Sequence, residues 1–164
     1  MRVPIRKPGK YTHLKPDPNM TQAKVDDLQR QLAKLKAQHP QAAKEMQRLA
    51  ELGDFSENAA YQMAKSRLRG INERMRQLDE RLKHAVIIAP QNDGTIGLGS
   101  TVSVELNGVN QTFLILGSSE TSPGQGVISH HSPIGTALVG RKAGDELTIK
   151  LTDREISCRI IAVK

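Results

Sequence analysis

A chain of 164 residues has room for one ordinary domain or two small ones, and its four aromatics, with no tryptophan, argue against a single large core. The formal charge of +7 is uneven: residues 1–84 carry 18 Lys/Arg against 10 Asp/Glu, a balance of +8, while residues 85–164 carry 6 against 7, a balance of −1. No apolar run approaches the length of a membrane span, and the single cysteine, Cys158, excludes an internal disulfide or a cysteine-based zinc site.

The first 20 residues are basic and hold Pro4, Pro8, Pro16 and Pro18, which rules out a continuous helix there. An extended or disordered arm over 1–20 is expected, available for non-specific nucleic-acid contact or simply solvated. No apolar block follows the basic start, so no secretory signal is expected and the cytoplasm is the expected location.

Thr21 is a candidate N-cap for the next element. From there Val25, Leu28, Leu32, Leu35, His39, Ala42, Met46 and Leu49 step by three and four, a heptad seam. Pro40 interrupts it and predicts a kink or short break near His39-Pro40. A second seam runs through Leu68, Ile71, Met75, Leu78 and Leu82. The connection between them is short, so the two helices are expected to be antiparallel neighbours over residues 21–86. Each spans roughly 45 Å at 1.5 Å per residue, more than a small core needs, so the hairpin should project with its turn near Gly53.

After Val86 the texture changes to short β-rich runs: Thr101–Leu106, Thr112–Leu116, Gly126–Ile128, Glu146–Leu151 and Glu155–Val163. Asn107-Gly108, Ser122-Pro123-Gly124 and Ala143-Gly144-Asp145 mark turns between them. Ser132 as N-cap and Pro133 at the first helical position predict one short helix. The expected fold is therefore α+β: an antiparallel coiled-coil hairpin followed, over 87–164, by an antiparallel sheet domain with one short helix. Cys158 falls in the last strand and is expected to fill core.

Chemistry concentrates in Gly53-Asp54-Phe55-Ser56-Glu57-Asn58-Ala59-Ala60-Tyr61. Asp54 and Glu57, three apart at a helix start, form a capping box and suit the positive helix end. Capping does not explain why such a pair sits at the far end of a projecting hairpin. Two carboxylates are too few for tight Mg²⁺ binding alone, but they can complete a site supplied by another molecule.

This segment closely resembles the tip of Gre transcript-cleavage factors, Gly-Asp-x-Ser-Glu-Asn-Ala-(Asp/Glu)-Tyr, matching at Gly53, Asp54, Ser56, Glu57, Asn58, Ala59 and Tyr61. Lys65-Ser66-Arg67-Leu68-Arg69-Gly70-Ile71-Asn72-Glu73-Arg74 looks closer to GreB than to GreA. Ile128–Gly140, followed by Gly144-Asp145, is similar to the family's FKBP-like domain. The likeness covers residues 19–164. A monomer is expected because an intramolecular hairpin already satisfies both seams. The likeness implies a factor, not itself an enzyme, that docks on RNA polymerase and enters the secondary channel. There Asp54 and Glu57 would help hold the second Mg²⁺ and orient the attacking water, so that backtracked RNA is cleaved behind its 3′ end. Ser56, Asn58 and Tyr61 would support the tip. Ala60 departs from the pattern, standing where the family usually has an acid.

Lys65, Arg67, Arg69, Arg74 and Arg76 form the candidate RNA-binding basic face of the second helix, alongside the plainer reading of a solvated exterior. A channel regulator that does not stimulate cleavage is the alternative that Ala60 supports. A coiled-coil adaptor would leave the tip motif a coincidence. A proline isomerase needs an aromatic-lined pocket, and Phe113 is the only aromatic after Tyr61. His130-His131 is an adjacent pair, by itself a weak metal signal.

Overall fold

The computed structural model describes residues 17–51, 59–89, 93–150 and 155–164. Thr21 starts the first long element as its sequence position predicts: the Lys24 amide donates to Thr21 Oγ1 at 3.2 Å. Helix α1 then runs Gln22–Glu51 and helix α2 runs Ala59–Lys83.

Side chains of the predicted seams meet between the helices. Val25, Leu28, Leu32 and Leu78 are buried together with Met20, and Leu35, Met75, Leu82 and Ala85 pack around them. Leu78 and Leu82, late in α2, therefore lie against the start of α1, which makes the pair antiparallel. Each fully buried leucine here contributes about 1.5–3 kcal/mol relative to exposure. Farther out, Ala42 and Ala64 are buried and let the backbones approach.

No break occurs at Pro40: α1 is continuous through it. Proline deletes only the amide that would reach the Lys36 carbonyl. Leu35 and Ala42, on either side, hold both halves against α2, and that packing outweighs the lost bond.

At the base, Asn19–Met20 (β1) pairs in parallel with Val86–Ile87 (β2). The Val86 amide donates to Pro18 O at 2.8 Å and the Ile88 amide to Met20 O at 2.9 Å. Residues 17–20, at the end of the proline-rich stretch, are thus built into the fold rather than extended away from it.

The C-terminal sheet comprises β3 (Thr101–Leu106), β4 (Val109–Leu116), β5 (Val127–Ser129), β6 (Glu146–Lys150) and β7 (Glu155–Val163), in the order β5-β4-β3-β7-β6. Asn107-Gly108 closes the β3–β4 hairpin with both φ angles positive (47° and 84°), as a two-residue turn matching strand twist requires.

Three pairings are antiparallel, but β4 and β5 run parallel, which an all-antiparallel expectation misses. Residues 117–126 form two 3-10 turns, at Ser118–Glu120 and Pro123–Gln125, and carry the chain back to the same end of the sheet. A third helix, α3 (Pro133–Leu138), is capped by Ser132 Oγ, which accepts from the Gly135 amide at 3.0 Å. One sheet face and α3 enclose Ile96, Val102, Val104, Phe113, Ile115, Leu138, Ile149, Ile156, Cys158 and Ile160. Burial pushes the Cys158 thiol up from its ordinary pKa, so it serves as core filler.

Candidate functional site

Glu51 and Ala59, the facing ends of α1 and α2, lie away from the sheet domain, because α1 begins at the domain junction and runs 30 residues, about 45 Å. Asp54, Ser56, Glu57 and Asn58 fall between them in the sequence and lie outside the described residues. Tyr61 lies in the first turn of α2 and is half-buried. With Ala64 it extends the second seam toward the tip, so the steps read Tyr61, Ala64, Leu68, Ile71, Met75, Leu78, Leu82. A seam counted from Leu68 misses this, although the spacing of three and four was there to be read. Ala60 and Met63 are exposed beside it.

The basic residues of α2 do not share one face. At 3.6 residues per turn, Lys65, Arg69 and Arg76 fall within about 40° of one another, while Arg67 and Arg74 fall on the opposite side of the helix. The inter-helix seam lies between the two groups. All five are exposed. Arg67 Nη1 reaches Glu45 Oε2 of α1 at 3.6 Å and so ties the outer hairpin across its flank.

Arg76 holds Glu73 with two hydrogen bonds, 2.9 and 3.1 Å. The Arg76 guanidinium, with Gln77, pulls the Glu73 carboxyl down to about 2. Part of the Arg76 charge is therefore neutralised within the helix. Lys65, Arg69 and Arg74 are exposed and make no ion pair within 4.0 Å among the described residues, although Arg69 also helps to lower the Glu73 carboxyl.

A second polar centre joins the hairpin base to the sheet domain. Glu120 accepts the Thr21 amide at 2.7 Å and the Thr21 hydroxyl at 2.5 Å. Asp17 accepts the Ser118 amide at 2.7 Å and the Asn19 amide at 3.1 Å. Burial acts to raise the Asp17 pKa, but the hydrogen bonds from Ser118 and Asn19 outweigh it and hold the carboxyl below its usual range. Gly117 lies so close to the Asn19 carbonyl that a Cβ there would overlap it. His130 and His131 sit beside Asp17, a grouping that sequence spacing could not show because residues 17 and 130 are far apart in the chain. Phe113 is buried in the core.

Two long antiparallel helices standing on a small mixed sheet define a rod-and-base protein. Residues 19–87 match the family described as "Transcription elongation factor, N-terminal", and residues 91–164 match "Transcription elongation factor, GreA/GreB, C-term". Similar proteins include the transcription elongation factor GreA of a Nitratiruptor species, 36% identical over 148 residues, covering 88% of this chain and 91% of that protein. The transcription elongation factor GreA of Thermomicrobium roseum is 38% identical over 133 residues, covering 79% and 85%. The crystal structure of GreA factor homolog 1 (Gfh1) of Thermus thermophilus is 28% identical, with 89% and 97% coverage and a TM-score of 0.41, too loose a superposition to add to the fold described above. The chain belongs to the GreA/GreB family of transcription elongation factors.

Proposed function

We propose that this elongation factor binds RNA polymerase, inserts its hairpin into the secondary channel and stimulates cleavage of backtracked RNA. The observation that carries the reading is the coincidence of motif and rod: Gly53–Tyr61 matches the cleavage-factor tip and falls in the sequence between α1, about 45 Å long, and the first turn of α2, about 38 Å long. Asp54 and Glu57 are hard oxygen donors of the kind Mg²⁺ takes, and two of them suit a shared rather than a private ion. When bound at the polymerase centre, the ion supplies charge stabilisation and an activated water. This chain contributes the two carboxylates in trans, with Ser56, Asn58 and Tyr61 supporting them. The sheet domain is the docking surface. Lys65, Arg69 and Arg74 attract the extruded RNA. The likeness of residues 65–74 to GreB rests on that segment alone; the relatives described above carry the name GreA.

Adding the protein to stalled elongation complexes should shorten the transcripts, and Asp54→Ala should abolish the effect. Undiminished cleavage by Asp54→Ala would reject the site. Ala60 favours one second reading, a channel regulator that modulates polymerase without cleavage. Under that reading the wild-type protein shortens no transcript and Ala60→Asp gains the activity.

A further inference from the structure

We propose that Asp17, His130 and His131 form a zinc-type metal site that fastens the base of the hairpin to the sheet domain. One ligand atom from each of the three lies within 4.8 Å of the other two. The Asp17 side chain is 4% exposed and that of His130 is 17% exposed, while His131 stands at the surface, so the group is enclosed on one side and open to an entering ion on the other.

The separations suit a metal better than they suit direct bonding. His130 Nδ1 is 3.6 Å from Asp17 Oδ2, too long for a hydrogen bond. Two donors each 2.0–2.1 Å from a tetrahedral zinc stand about 3.3 Å apart, close to the spacing present. A His131 ring nitrogen lies within 4.8 Å of both other donors, and its ring lies against that of His130 with centroids 3.8 Å apart. Water would complete the fourth position. Imidazole nitrogens with one carboxylate oxygen are a donor set suited to zinc and its neighbours rather than to magnesium or calcium.

The surroundings already orient the donors. Asp17 is held in place by the Ser118 and Asn19 amides. The His131 amide donates to Ser129 Oγ at 3.0 Å, which anchors the loop. Without metal, His130 Nδ1–H donates to Leu116 O at 3.3 Å. Coordination through Nδ1 moves that proton, by exchange with water, to Nε2, so the ring binds as the neutral Nε2–H tautomer. Leu116 O is not orphaned by the loss, because the His130 backbone amide donates to it at 3.1 Å. The consequence is mechanical: the residue that leads into α1 and the loop that leads into α3 become ligands of one ion. This inference does not depend on what the tip does.

The test uses the full chain, stripped with chelator and desalted. Titration with Co²⁺ as spectroscopic probe, then displacement by Zn²⁺, should show one equivalent per chain. His131→Ala, at an exposed position, should weaken binding at least about tenfold, as should Asp17→Asn, while His84→Ala leaves it unchanged. At Zn²⁺ a hundredfold above Kd, exchange of the Ser118 amide should slow about a hundredfold, because the ion binds only the closed junction. Absence of saturable binding overturns the proposal. So does binding that survives His131→Ala, or that disappears with His84→Ala.

Discussion

Glu120→Ala should loosen the junction between the hairpin and the sheet domain without disturbing either alone. The wild-type carboxylate accepts two hydrogen bonds from Thr21, one from its amide and one from its hydroxyl. Hydrogen bonds to a charged acceptor contribute about 1.5–3 kcal/mol each, and the half-exposed setting argues for the lower figure, so loss of both costs about 3 kcal/mol. At 1.4 kcal/mol per factor of ten, the Thr21 amide should exchange roughly a hundredfold faster. Amides deep in β3 and β7 should keep their rates. Thr21 also caps α1 through the same oxygen, so Thr21→Val combines two losses. A double-mutant cycle separates them: in the Thr21→Val background, Glu120→Ala should cost about 1.5 kcal/mol less, the share of the hydroxyl bond. Hydrogen exchange followed residue by residue, with urea unfolding, measures both. An unchanged Thr21 exchange rate and a coupling under about 0.5 kcal/mol would refute the view that this carboxylate couples the two parts.

Leu78→Ala removes a side chain that is 1% exposed among Met20, Val25, Leu28 and Leu32, and should cost about 2–5 kcal/mol in urea unfolding monitored by helical circular dichroism. Pro40→Ala restores an amide inside a continuous helix at an exposed position, and should raise the stability of α1 by about 1–3 kcal/mol; a loss of stability would mean that the proline fits a bend the packing requires. The Glu73 carboxyl, drawn down to about 2 by Arg76 and Gln77, should titrate well below an ordinary glutamate in a carbon-13 NMR experiment. Because the folded-state pKa is depressed, its contribution to helix stability is present above pH 4.5 and is lost as pH falls toward 2; Arg76→Ala should return the midpoint toward 4.5.

Local rules account for much of the molecule. Heptad spacing is a property of consecutive residues, so both seams, their antiparallel pairing and the burial of Leu28 and Leu78 followed from it. The caps at Thr21 and Ser132 are equally local, since a side chain meets an amide three residues on. The strands Thr101–Leu106 and Glu155–Val163 alternate buried and exposed along most of their length and were legible to the residue. The candidate tip was read from a continuous motif, and the division of the basic residues between two flanks was present in helical periodicity from the start.

Tertiary structure alone decided how these pieces meet. Propensity and periodicity describe neighbours in the chain, whereas the Thr21–Glu120 and Asp17–Ser118 contacts join residues 99 and 101 positions apart. Nothing within residues 17–20 announces a strand; Asn19-Met20 is one because β2 arrives beside it with matching amides and carbonyls. The parallel pairing of β4 with β5 likewise depends on the path of the 117–126 connection rather than on either strand. The grouping of Asp17 with His130 and His131 exists only after the hairpin has been set on the sheet, because closure of so long a segment is directed by the packing of both cores rather than by any local preference.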